Sequence, residues 1–135
     1  MRINGFDIDG VIHLGNGSCG IHPGPKDVII TGRSYEEEAE TFAFLHKNKI
    51  YNAVFFNQVD YDNKSRSSSG CHKGETILKL KKMGIVIDYF FEDDEIQKNE
   101  IEKAVKENSL STKVIHVSNP FVQKENARHL EDLND

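Results

Sequence analysis

The chain has 135 residues, 37% of them hydrophobic, and a formal net charge of −5. That length fits one domain whose core is large enough to fold without a staple. No apolar run approaches the roughly 20 residues a membrane span needs, and the acidic balance speaks against an extended nucleic-acid surface, though not against one nucleotide or strand end at a locally basic spot.

Residues 1–6 lack the apolar stretch of a signal peptide, so a cytoplasmic protein with no membrane partner is expected. Cys19 and Cys71 make no disulfide framework and read as free thiols.

Residues 2–8 read as a first strand, ending in Asp7-Ile8-Asp9-Gly10-Val11. Residues 10–26 hold five glycines and two prolines and show no helical pattern, which predicts a β-hairpin flap over about residues 11–24. Residues 27–31 are a second strand, apolar as a buried parallel strand is, and run into Thr31-Gly32-Arg33. Ser34-Tyr35-Glu36-Glu37 has capping-box spacing, and Tyr35, Ala39, Phe42 and Leu45 recur at helical intervals, so a first helix should follow Arg33.

Residues 51–56 are a third strand. Residues 57–72, with Ser67-Ser68-Ser69-Gly70, read as a long polar loop of the kind that is often mobile. A second helix is expected from about Lys73 to Gly84, a fourth strand over 85–91 running into Glu92-Asp93-Asp94, and a third helix over 95–108. Residues 113–118 give a fifth strand, and Asn119-Pro120 opens a fourth helix that ends with Leu130 and Leu133. Strands alternating with helices mean an α/β fold, with a parallel sheet covered on both faces and ligands at the carboxyl ends of its strands.

Those carboxyl ends carry the chemistry. Asp7 and Asp9, two residues apart, can present both carboxylates on one side of the strand end, and Gly10 lets the chain turn away. Close carboxylates repel, and Glu92 and Asp93 across the sheet add to the repulsion unless a cation sits among them. Magnesium is the usual hard, oxygen-bound cation beside a phosphate. One carboxylate could then attack phosphorus while the other moves the proton. Thr31 and the Gly32 amide, next to a helix start, would seat a phosphate, and Lys73 would add a positive charge. A cation in the first turn of a helix opposes the dipole, so Lys73 there points to function.

Each residue also has a plainer role open to it. Asp93 or Asp94 could cap the third helix, Thr31 could be a turn residue, and Lys73 a solvated lysine. Cys19 with His22, and Cys71 with His72, could meet as a zinc site, although their spacings match no tight pattern of ligand pairs. His13, His22 and His72 otherwise read as polar flap and loop residues, His116 as a core or edge histidine, and Glu36-Glu37-Glu38 as a solvated first turn.

The same residues resemble the four motifs of the haloacid dehalogenase (HAD) superfamily of phosphohydrolases. Asp7-Ile8-Asp9-Gly10-Val11 is similar to the first motif, Thr31 to the second, Lys73 to the third and Glu92-Asp93-Asp94 to the fourth. The resemblance spans residues 3 to about 118. It implies a Rossmann-like three-layer sandwich with a five-stranded parallel sheet of order 5-4-1-2-3. It also implies Asp7 as nucleophile, Asp9 as general acid and base, and Thr31, Gly32 and Lys73 as phosphate ligands. Magnesium would be held by Asp7, the Asp9 carbonyl and Asp93, with Glu92 or Asp94 in support.

Two departures stand out: no helix between flap and second strand, and no room for a cap domain. A capless, single HAD-like domain over 1–135 has an open site, which suits bulky substrates or a cap borrowed from another subunit of a homo-oligomer. Thr31-Gly32-Arg33 also resembles the phosphatase half of polynucleotide kinase-phosphatases. The expectation is therefore a magnesium-dependent phosphomonoester hydrolase with an aspartyl-phosphate intermediate. Its substrate would be a nucleotide, a nucleic-acid end, a sugar phosphate or a phosphoprotein, recruited by a basic rim of Arg33, Lys64, Arg66 and His72. A phosphotransferase and a catalytically idle phosphate-binding module share the same motifs.

Overall fold

A computed structural model describes residues 1–15 and 18–118. The chain runs β1 (Arg2–Phe6), β2 (His13–Gly15), β3 (Ser18–Cys19), β4 (Val28–Ser34), α1 (Glu38–Lys47), β5 (Val54–Asn57), α2 (Arg66–Lys82), β6 (Val86–Glu92), α3 (Glu95–Glu107) and β7 (Lys113–His116). The fourth helix expected after Asn119 lies outside the described residues. Among those residues, no helix is long and apolar enough to cross a membrane.

Five strands form one all-parallel sheet in the order β5-β4-β1-β6-β7. The strand numbers differ from the expected 5-4-1-2-3 because the flap supplies two strands of its own. β2 and β3 pair antiparallel in a separate hairpin and take up two places in the count. From β1 the chain fills one side of the sheet with β4 and β5, then the other with β6 and β7. The crevice at the carboxyl ends of β1 and β6 is therefore the switch point where such sheets bind ligands.

Sequence alternation decides which face each helix covers. Ile3, Val28, Ile30, Ile87 and Phe90 project to one side and pack with Ile77 and Leu80 of α2 and Ile101 of α3. Phe6, Ile8 and Ile29 project to the other and pack with Leu45 of α1, Ile50, and Val11 and Ile12 from the root of the flap. Fifteen buried apolar side chains make up these two layers, and full burial of one such side chain is worth about 1.5–3 kcal/mol, which makes them the main support of the sheet.

The first helix starts as its sequence foretells. Ser34 accepts from the Glu36 amide and the Glu37 carboxylate accepts from the Ser34 amide, completing a capping box over a 3₁₀ turn at Tyr35–Glu37. The second helix corrects the sequence reading. It starts at Arg66, so the polar run expected to be loop as far as residue 72 supplies its cap and first two turns. Ser65 and Ser68 cap each other reciprocally, which lets a run of weak helix formers start a helix.

The glycines in that run admit α3. A Cβ on Gly70 would sit 2.7 Å from the Glu100 Cβ, and one on Gly74 2.6 Å from the Ala104 Cβ. Lys73 accordingly lies about two turns inside α2, not in its first turn. Lys73 therefore does not oppose the dipole at a helix start, and what sets it apart is its burial.

Candidate active site

Asp7 and Asp9 sit where β1 stops and the flap begins. The amides of Val11, Ile12 and His13 all turn back onto the Ile8 carbonyl, which makes a tight loop under the flap. Gly10 closes it with φ +88°, and a Cβ there would fall onto the Asp93 carboxylate. Glycine is needed at position 10 for both reasons, because the left-handed region disfavours side chains and Asp93 occupies the space.

Lys73 enters from α2 with its side chain only 1% exposed. Its Nζ donates to Asp7 Oδ1 at 2.9 Å and to Glu92 Oε1 at 2.6 Å. Burial alone would lower its pKa, but the charges of Asp7 and Glu92 outweigh that and hold it above the usual lysine range. Glu92 is pushed well above the carboxylate range by burial first and by the charge of Asp7 next, with Lys73 opposing. The other oxygen of Asp7, Oδ2, is buried and accepts no hydrogen bond.

Asp7, Glu92 and Asp93 offer oxygens that all lie within 4.8 Å of one another. Around them, Asp9, Glu37 and Asp94 bring the buried carboxylates among the described residues to six, against Arg33, Lys64 and Lys73 buried and Arg66 nearly so. These carboxylates thus outnumber the arginines and lysines by two, and a charged His13 offsets only one of these. A divalent cation bound by oxygen would cancel the remaining excess, so the triad fits such an ion in donor type and available oxygen.

Asp9 faces a different neighbour. Arg33, at the end of β4, grips it with two parallel bonds, Nε to Oδ2 at 2.9 Å and NH2 to Oδ1 at 2.7 Å. Burial would raise the Asp9 pKa, but the charge and hydrogen bonds of Arg33, helped by the charges of His13 and Lys64, bring it below the usual carboxylate range. Arg33 is itself braced by Thr41 of α1 at 3.2 Å. Thr31 is fully buried, and its Oγ1 accepts from the Arg33 amide at 3.0 Å.

The expected basic rim is not a rim. Arg33 is 8% exposed and Lys64 2%. Arg33 pairs with Asp9, Lys64 with Glu37 and Arg66 with Asp94. His72 is half-buried against the Phe55 carbonyl, where burial drives its pKa down to about 4 and keeps it neutral. These charges compensate buried carboxylates, a role that single-residue inspection does not reveal.

Asp94 caps α3, accepting from the Gln97 amide while Arg66 takes both of its oxygens. Among the described residues it joins no metal-binding group, and neither do Cys19 with His22 or Cys71 with His72. Cys19 lies 3.6 Å from His22 Nε2 in the flap, while Cys71 is exposed on α2 and donates to Glu100. His116, expected to be a core or edge histidine, is exposed at the end of β7 and reaches the Asp93 carbonyl at 3.2 Å. Sequence reasoning gave Glu37 and His116 no part in the site and placed Lys64 only on a basic rim. Their partners lie 23 to 27 residues away, and no local pattern signals such contacts.

The sequence matches no protein-family model and no curated protein. A chain in a solved structure, "Structure of the Pnkp1/Rnl/Hen1 RNA repair complex", is similar to this fold with a TM-score of 0.58 at 16% sequence identity. The likeness covers 87% of this chain and 43% of that one, so this chain spans less than half of its neighbour's length. At that identity the likeness concerns the fold alone.

Proposed function

We propose that this chain is a magnesium-dependent phosphomonoester hydrolase of the HAD type, with Asp7 as nucleophile, acting on a nucleotide or a nucleic-acid terminal phosphate. One observation carries the proposal. Asp7 is buried with one oxygen fixed by Lys73 and the other without a partner, within an acidic triad suited to a cation. An oriented carboxylate with a bare oxygen is what attack on phosphorus requires.

In the proposed reaction Asp7 Oδ2 attacks phosphorus, the ester P–O bond breaks, and an acyl phosphate forms on Asp7. Asp9 protonates the departing oxygen, then takes a proton from the water that attacks the acyl phosphate and restores Asp7. The Arg33 grip favours the ionised form of Asp9, which suits the second half. The first half needs that grip to loosen, and a substrate phosphate competing for the guanidinium would loosen it. Lys73, Thr31 and the Gly32 amide would hold the transferring group. Magnesium, held by Asp7 and Asp93 with Glu92 in support, would neutralise charge on the phosphoryl oxygens.

The choice of a nucleic-acid end over other phosphate esters rests on the fold neighbour's place in an RNA repair complex and on Thr31-Gly32-Arg33. The test is phosphate release from oligonucleotides with 3′- or 5′-terminal phosphate, nucleotides and sugar phosphates, with magnesium and then with chelator. Turnover should need magnesium and vanish in Asp7→Asn. An inert wild-type protein, or an Asp7→Asn variant that turns over equally well, defeats the proposal.

A further inference from the structure

Lys64 is one of the largest fully buried side chains in the protein, yet the proposed reaction gives it no part. It stands in the loop between β5 and α2 and crosses to the end of β4. There its Nζ donates to Glu37 Oε2 at 2.9 Å and to the Gly32 carbonyl at 3.3 Å. The same Glu37 oxygen accepts from the Ser34 amide at 2.7 Å. Ser69, in the first turns of α2, also donates to the Gly32 carbonyl, at 3.4 Å. The ammonium lies 5.3 Å from the centre of the Tyr61 ring.

A buried ion pair is a poor device for stability, because desolvating both charges offsets most of their attraction. An apolar side chain would fill the same space at less cost. What the ammonium supplies is direction. The Gly32 carbonyl and the Arg33 amide belong to one peptide plane. The carbonyl end is held by Lys64 and Ser69, and the amide end donates to Thr31 Oγ1. Fixing that plane fixes both the hydroxyl of Thr31 and the irregular stretch of β4 that carries the Gly32 amide. Gly32 itself has no room for a side chain, since a Cβ would lie 2.7 Å from both Cβ and Oγ of Ser69.

We infer that Lys64 is a positioning residue for phosphate binding, acting through the Gly32 carbonyl and Glu37 to orient the Thr31–Gly32–Arg33 segment. It touches no reacting atom. This role rests on the proposed hydrolase function, because it supposes that Thr31 and Gly32 seat a phosphate.

Wild type, Lys64→Met, Lys64→Arg and the double variant Lys64→Met with Glu37→Gln are compared. The double variant leaves no unpaired buried charge and keeps an acceptor for the Ser34 amide, so it tests the role even if Lys64→Met fails to fold. Inorganic phosphate is titrated in while the Gly32 and Arg33 amide resonances are followed, and KM and kcat are measured on a phosphate ester. The Met variants should bind phosphate about tenfold more weakly or worse, as expected for a displaced binding group. The loss should fall mainly on KM, and Lys64→Arg should recover part of it. A folded double variant that binds phosphate as tightly as wild type overturns the role of Lys64. A wild-type protein whose Gly32 and Arg33 amides ignore phosphate overturns both that role and the phosphate seat. One that binds phosphate without turnover overturns the hydrolase proposal and leaves the positioning role standing on the titration.

Discussion

Two glycines with nearly equal positive φ allow the demands of the site to be separated from those of the chain. Gly10 has φ +88° and Gly84 has φ +87°. An alanine at either position would carry the same backbone strain, about 1–2 kcal/mol for an L residue in the left-handed region. At Gly84, the turn that ends α2, a Cβ would meet nothing within 4 Å, so Gly84→Ala should show that strain alone. At Gly10 the Cβ would land on the Asp93 carboxylate, whose farther oxygen would be 2.8 Å away.

Relieving the Gly10 overlap means moving the carboxylate until carbon and oxygen reach ordinary contact, near 3.5 Å. Overpacking of this kind adds about 1–3 kcal/mol. Gly10→Ala should therefore lose about 2–5 kcal/mol in urea unfolding, against about 1–2 for Gly84→Ala. The functional gap should be wider, because a shift of about 1 Å in a binding group costs on the order of 100-fold. Magnesium titrated calorimetrically into each variant gives the second readout, with binding lost in Gly10→Ala and retained in Gly84→Ala. Equal destabilisation together with equal magnesium affinity would refute the placement of Asp93 against Gly10.

Further variants test the charge arrangement. Lys73→Met leaves Asp7 and Glu92 without their shared cation. It should lose about 3–5 kcal/mol in chelator, as when one partner of a buried pair is removed, and added magnesium should restore more stability to it than to wild type. Unchanged urea midpoints in chelator would contradict this. Arg33→Gln removes the two bonds that hold the Asp9 pKa down, so the Asp9 carboxyl resonance should titrate at higher pH. A depressed carboxylate stabilises the fold above its unfolded pKa and loses that contribution as pH falls through the folded value. Arg33→Gln should therefore weaken the protein at neutral pH and flatten its acid response.

His72 gives the opposite case, a base kept neutral by burial, with its pKa lowered from 6.5 to about 4. The unfolded chain takes up the proton first, so stability is complete above pH 6.5 and declines towards pH 4, by roughly 3 kcal/mol. An imidazole that titrates near 6.5 in the folded protein would show that burial does not govern it.

Sequence and structure agree most where a signal is local. The strand ends at Asp7 and Glu92 were legible because a short apolar run followed by polar residues marks a strand end, whereas β4 runs on past the expected end at Thr31 to Ser34. The Ser34–Glu37 cap was legible because both partners lie within three residues. The start of α2 was not. Serines and glycines weaken a helix in isolation, and only the approach of α3 to Gly70 and Gly74 explains why they stand in one. The cations were misjudged for a related reason. Lys64 and Arg66 look solvated in a polar stretch, and their carboxylates lie 27 and 28 residues away. Burial and pairing arise from the tertiary fold, so the candidate site residues were legible in the sequence while the electrostatic arrangement that holds them was not.

The seam between α2 and α3 carries a consequence beyond packing. Lys73 stands between Gly70 and Gly74 on one helix, and Asp93 precedes the Asp94 cap of the other. The spacing of the two helices therefore sets how far the lysine reaches into the acidic cluster. Ala104 faces Gly74 in the last turns of α3, at the opposite end of that helix from the Asp94 cap. A longer side chain there would act as a spacer, altering the electrostatics of the pocket from the far end of a helix.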